Sequence, residues 1–286
     1  MIDLSVIVVS YNTQKLLRDC LASIFKQTKD LTYEVIVVDN ASTDGSLPMV
    51  KKIFPKVLVI ENKENLGFSK ANNQALRLAQ GKAILLLNSD TKVVGHALKK
   101  LIDFAETKEK LAVVGPKLLN ADGSRQPSTA PFLKLPRALL WLATGDRFLY
   151  ASPAAERKVD WVMGAALLVK KEVVAKVGGL DEQFFMYLEE VEWCYRIKKA
   201  GWQVWFYPGA EVYHLVRGSS PEGKQRAVMG IYTGLPYFYG KHYGKTELAV
   251  LKLALRTKAI LAWGLGILTG NRYLKETYAK AFKVVG

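Results

Sequence analysis

Cysteine is scarce in this chain: two occur in 286 residues, Cys20 and Cys194, far apart and in no metal-binding or redox spacing. That excludes a disulfide framework and a thiolate metal site. The turn after the first strand-like run reads SYNTQKLL, without a G-x-G-x-x-G, and no G-x-x-x-x-G-K-[ST] occurs anywhere. The dinucleotide oxidoreductase and P-loop readings both lose their main support. There is no zinc-finger spacing, RNP-like aromatic motif or dense Arg/Lys run, so no nucleic-acid partner is expected. The uncharged run near the end of the chain, residues 259–271, is 13 residues long. A helix needs roughly 20 apolar residues to cross a bilayer.

What is present is apolar and basic. Half the residues are hydrophobic, enough for a sizeable core. Forty-one Lys and Arg against 26 Asp and Glu leave a net charge of +15, and residues 217–286 hold twelve of the cations and three Glu. An acidic partner therefore meets the C-terminal part, and phosphorylated substrates or anionic lipid headgroups suit it. Cys20 continues the apolar row Leu16, Leu17, Leu21, Ile24 and Phe25 and reads as core. With LSVIVVS near the start and no signal peptide ahead of it, a cytoplasmic location is expected.

The N-terminal part alternates β-rich runs with helical patterns. LSVIVVS, EVIVVD, VLVIE, AILLL and LAVVG read as strands, and residues 14–25, 47–54, 69–80 and 95–107 as helices. This rhythm predicts an α/β fold, βαβ units around a mostly parallel sheet, with ligands beyond the carboxyl ends of its strands. A Pro-interrupted stretch, residues 127–153, reads as a loop or lid with a short helix. VDWVMGAALLVKK reads as one strand, residues 188–200 as a helix, and WQVWFYP and AEVYH as the closing strands. The expected division is a catalytic domain over 1–217 and a basic helical extension over 218–286. In that extension Lys252 and Arg256 share a helical face, while Leu251, Leu255, Ile260, Trp263 and Leu268 supply apolar area. Such helices can lie on a membrane surface or pack on the core.

The polar residues at strand ends carry the chemistry. Strand one ends in Ser10-Tyr11-Asn12, strand two in Asp39-Asn40, and strand four in Asn88-Ser89-Asp90. A carboxylate at Asp39 can accept from a ribose hydroxyl or a base N–H. Without a glycine cradle a diphosphate needs a cation, and Asp90 is placed to hold a hard one through oxygen. His214 ends the last strand; if it joins Asp90, the mixed O and N set favours Mn²⁺ or Mg²⁺. Asn65, Gly67 and Lys70 belong to a turn before a helix, an anion-facing arrangement. Glu189, Glu190 and Glu192 sit among Phe, Tyr and Trp, where burial and like charge raise a carboxyl towards the range of a general base.

Taken in order, VSYN, VVDNASTDGS, NLGFSKANN, LLLNSD, WVMGAALLVKK, GGLDEQFFMYLEEVEWCYR and VYH resemble family 2 glycosyltransferases of the GT-A fold, nearest to the bacterial rhamnosyltransferase-like branch, over about residues 3–217. The resemblance implies inverting transfer of a sugar from a nucleoside diphosphate donor to an acceptor hydroxyl. Asp39 and the Ser10, Tyr11, Asn12 turn would hold the nucleoside, and Asp90, with Asn88 before it, would match the end of the family's DXD metal motif. Glu190 would be the base, with Glu189 and Glu192 as neighbouring acids. His214 would bind metal or diphosphate, and Trp161 and Gly164 would border the sugar. Two departures stand out: the DXD reads Asn88-Ser89-Asp90, and the family's E-D-x-D reads Glu189-Glu190-Val191-Glu192.

The branch implies dTDP-L-rhamnose as donor, with UDP-sugars as the alternative, and a cell-surface glycan or polyprenyl-diphosphate-linked acceptor. It places the protein at the cytoplasmic face of the inner membrane. A catalytically silent sugar-nucleotide or glycan-binding protein on the same scaffold is the competing reading, and a homo-oligomer is left open.

Overall fold

The computed structural model describes residues 2–145, 150–215 and 221–285. The chain folds into two compact units, and the first holds Met1–Pro131, Ala151–Phe185 and Glu189–Val216. It opens with three parallel strands, β1 (Leu4–Ser10), β2 (Tyr33–Asp39) and β3 (Leu58–Glu61), linked by α1 (Gln14–Gln27) and α2 (Ser46–Ile53). After α3 (Phe68–Leu78), β4 (Ala83–Asn88) returns parallel to β1 on its other side. These strands are near-continuous Val, Ile and Leu because helices cover both faces of a parallel sheet. Cys20 lies in this core, fully buried with Leu17, Leu21 and Ile24.

Next come β5 (Thr91–Val93), α4 (Ala97–Glu106), β6 (Leu111–Leu119), β7 (Arg125–Gln126) and β8 (Thr129–Ala130). After Ala151 the unit adds β9 (Arg157–Val159), β10 (Trp161–Val162), β11 (Ala166–Lys170), α6 (Lys171–Val177), α7 (Glu189–Lys199) and β12 (Gln203–His214). The sheet runs β3-β2-β1-β4-β11-β6-β12-β5, with β11 antiparallel to both neighbours and β12 parallel to β6.

Three features differ from the sequence reading. The run VDWVMGAALLVKK is not one strand: it breaks around Gly164, where Asn88 N–H donates to Ala165 O, and β10 leaves to pair with β8. The two closing strands are one, β12, whose register against β6 slips between Tyr207 and Glu211, at Pro208, a residue with no N–H to give a ladder. Strand β5 was not foreseen, being only three residues long, yet it pairs antiparallel with the end of β12.

The second unit holds Phe132–Tyr150, Met186–Leu188 and Arg217–Gly286. The boundary expected at residues 217 and 218 lies outside the described residues. The middle of the proline-interrupted stretch belongs to this unit. Its helix α5 (Leu135–Thr144) receives a hydrogen bond on Leu142 O from Lys258. Helices α8 (Pro221–His242), α9 (Lys245–Leu268) and α10 (Arg272–Val284) complete it. Tyr239 donates its hydroxyl to Leu133 O at 2.7 Å, and Gly266 lets the start of α10 approach where a Cβ would meet Lys275 N at 2.6 Å.

Candidate active site

The candidate residues converge because the sheet collects them at one edge. In the β1–β2 register Ser10 faces Asp39, and in the β1–β4 register Val9 faces Asn88. Strand β11 runs the other way, so its amino end, preceded by Gly164, lies at the edge where the parallel strands end.

Asp39 is 2% exposed; its Oδ2 accepts from Ser42 N–H at 3.0 Å, while its Oδ1 is buried without a partner. A buried acceptor left unpaired costs about 1–3 kcal/mol, so it points to a donor that arrives with a ligand. Its neighbours are engaged inside the protein. Ser10 is fully buried, its hydroxyl bonded to Thr13, which donates to Ser89. Asn12 Oδ1 accepts from Thr43 N–H. Of the predicted turn, Tyr11 and Asn12 are exposed, Tyr11 at 42%. Ser10 is thus spent inside the protein, whereas Tyr11 and Asn12 reach the surface.

The Asn65 turn is likewise internal. Asn65 Oδ1 accepts from Asn40 and from Gly67 N–H, and a Cβ on Gly67, at φ +83°, would stand 2.5 Å from Phe185 O. These two residues, expected to touch substrate, build the entry to α3 instead; the Lys70 side chain is exposed. Trp161 is 5% exposed within β10.

Asp90 and His214 meet. Strand β5 pairs Thr91 with His214, Leu215 N–H donates to Asp90 O, and His214 Nε2 stands 3.4 Å from Asp90 Oδ1. The other ring nitrogen, Nδ1, is 2.7 Å from Gln126 Oε1. The amide nitrogen of Gln126 donates to Asn120 Oδ1 and His214 O, which presents its oxygen to the ring. Nδ1 therefore carries a hydrogen towards Gln126, and Nε2 is the ring nitrogen turned to Asp90. The described residues contain no group of three or more His, Cys, Asp or Glu able to enclose a metal. One carboxylate and one imidazole fit Mg²⁺ or Mn²⁺ completed by diphosphate oxygens and water, and they do not fit a closed zinc site. Gln126 and Asn120 carry no motif, and only the tertiary fold reveals them.

The acidic cluster opens α7. Ahead of it Tyr187 and Leu188 have φ values of +75° and +72°, a conformation that strains non-glycine residues. Glu190 Oε1 accepts from Gly164 N–H at 3.4 Å, and its Oε2 is buried without a partner. Glu189 is 5% exposed, also with an unpartnered Oε2. Burial, and then the charge of Glu190, push the Glu189 carboxyl well above its usual range. Burial also raises Glu190, against hydrogen bonds from the N–H groups of Glu190, Gly164 and Val191 that favour its charged form. Burial disfavours charge on both carboxyls, and two like charges this close disfavour the doubly ionised pair. Glu192, expected among the catalytic acids, is corrected to a brace. Fully buried, it takes both carboxylate oxygens to Arg196 Nε at 2.9 and 2.8 Å, while Arg196 donates to Val177 O and Gly179 O.

A mixed sheet of this order, with carboxylates gathered at its carboxyl edge, is the GT-A fold of nucleotide-sugar transferases. The chain belongs to glycosyl transferase family 2, whose profile matches residues 5–159. It is 30% identical over 233 residues to the N-acetylglucosaminyl-diphospho-decaprenol L-rhamnosyltransferase of Mycobacterium tuberculosis, covering 74% of this chain and 75% of that one. Among solved structures, GalNAc-T7 with UDP, GalNAc and Mn²⁺ is similar at a TM-score of 0.60 and 19% identity, over 84% of this chain and 50% of that chain. The chain thus spans half that protein's length. The mannosyltransferase PcManGT from Pyrobaculum calidifontis, in complex with GDP-Man and Mn²⁺, gives 0.59 and 18%, over 100% and 87%.

Proposed function

We propose that this glycosyltransferase inverts the anomeric carbon of a nucleoside diphosphate sugar, dTDP-L-rhamnose, and delivers the sugar to a hydroxyl of a polyprenyl-diphosphate-linked glycan. The sugar and the acceptor class are supported by the Mycobacterium tuberculosis relative, whose name specifies both rhamnosyl transfer and a lipid diphosphate. The observation that carries the mechanism is Glu190, whose Oε1 rests on Gly164 N–H and whose Oε2 is buried and unpaired.

Asp39 accepts a hydrogen bond from the nucleoside. Asp90 and the Nε2 of His214 would hold a divalent cation, which would supply charge stabilisation for the departing diphosphate. Glu190 takes the acceptor hydroxyl proton as the oxygen attacks the anomeric carbon from the face opposite the diphosphate, so one displacement inverts the centre and no covalent nucleophile is needed. Burial and the charge of Glu190 raise the Glu189 carboxyl, so the pair resists carrying two negative charges at once.

Removing the base should act on chemistry alone. Glu190→Gln is expected to lower kcat by about 10² to 10⁴ while leaving donor affinity unchanged by calorimetry. Near wild-type transfer by that variant would dismiss Glu190 as base. A product that keeps the anomeric configuration of the donor, read by NMR, would dismiss inversion. Faster transfer from UDP-sugars than from dTDP-L-rhamnose would replace the donor.

A further inference from the structure

The C-terminal helices carry a surface the transfer chemistry does not use. Helix α9 buries Leu251, Leu255, Ala259 and Gly266 within the second unit. Its remaining sides should then be polar, as on a water-soluble helix. They are not. Leu253, Ile260, Leu261, Leu265, Ile267 and Leu268 are exposed by between 49 and 86%. At 100° per residue they share an arc of about 160° that meets no charged residue from position 249 onward.

Cations border this arc. Lys252 and Arg256 lie along one side together with Trp263, itself 41% exposed. Beyond the α9–α10 turn, Arg272, Lys275, Lys280 and Lys283 are exposed on α10. Residues 245–286 hold eight Lys and Arg against two Glu. No described helix is long and apolar enough to cross a membrane. Of the residues expected to supply apolar area, Leu251 and Leu255 are fully buried, while Ile260, Trp263 and Leu268 are exposed.

We propose that the exposed side of α9, with its cationic border, docks on an anionic phospholipid bilayer, the helix lying in the headgroup plane. An interfacial helix combines an apolar face buried in the acyl boundary with Lys, Arg and Trp at headgroup depth, and anionic lipid adds attraction per cation. A second copy of the chain would bring another net charge of +15 to the same border, which disfavours pairing through it. The inference rests on the helices and stands whether or not the acceptor is lipid-linked.

The test is flotation of the full chain with phosphatidylcholine vesicles, with and without phosphatidylglycerol. The chain should float with the anionic vesicles and release as salt rises. The pair Leu261→Glu and Leu268→Glu should lower partitioning at least about tenfold, since two exposed side chains then lose their burial in lipid. Arg272→Gln with Lys275→Gln should weaken binding to anionic vesicles only. Thermal melting and donor hydrolysis in solution serve as controls; if the Glu pair melts early, Leu261→Ser with Leu268→Ser replaces it. Three results would overturn the proposal: failure to float, unchanged partitioning of the leucine variants, or a dimer by light scattering that those variants dissolve.

Discussion

At the scale of single residues, the site depends on atoms that have no partner and on atoms that have the right one. Asp39 Oδ1, Glu189 Oε2 and Glu190 Oε2 are buried and unpaired, a combination stable only if a ligand or a proton completes it. His214 is the opposite case: Gln126 fixes its Nδ1 and so aims Nε2 at Asp90. Losing such a support usually lowers metal affinity by about 10 to 100-fold. Gln126→Leu is therefore expected to weaken Mn²⁺-dependent donor binding by about tenfold in calorimetry, and Gln126→Glu, which keeps an acceptor, should restore most of it. Equal binding by the Leu variant would remove Gln126 from the site.

Among the elements, α7 carries both the acidic cluster and its brace. Its first turn presents Glu189 and Glu190, and one turn on, Glu192 and Arg196 tie it to the carbonyls of Val177 and Gly179. Four residues apart on a helix, these side chains are neighbours, and both Glu192 carboxylate oxygens share the one Arg196 Nε–H. Arg196→Met should destabilise the fold by about 3 kcal/mol, because the buried Glu192 would lose its ion pair. A urea titration measures this, and a loss under 1 kcal/mol would mean that the brace is weak. The acidic cluster was legible as a site from its aromatic company, but which carboxylate serves chemistry was not. Glu189, Glu190 and Glu192 look alike in the sequence, and only their partners differ. The break at Gly164 escaped notice for a related reason: VDWVMGAALLVKK has strand composition throughout, and a hydrogen bond from Asn88 to Ala165 decides where it ends.

Across the whole molecule, the buried carboxyls link the site to stability. Glu189 has a folded pKa raised well above its ordinary 4.5. The folded chain therefore holds a proton the unfolded chain has lost once pH exceeds that value. The stabilisation is complete below the unfolded pKa and disappears as pH rises through the folded one. The urea midpoint should decline as pH rises above the ordinary carboxylate range, and Glu189→Gln should flatten that decline. A midpoint indifferent to pH in both proteins would show that Glu189 titrates normally.

The order of strands and helices, the strand-end positions of Asp39, Asp90 and His214, and the basic character of the tail were determined by sequence alone. Each rests on local periodicity, composition or motif order, which need no distant contact. Tertiary structure decided which polar groups are already paired, because pairing joins residues far apart in the chain: His214 with Gln126, Asn65 with Asn40, Gly164 with Glu190. It also decided which tail leucines are covered, since burial on α9 depends on the helices packed against it and not on its own sequence.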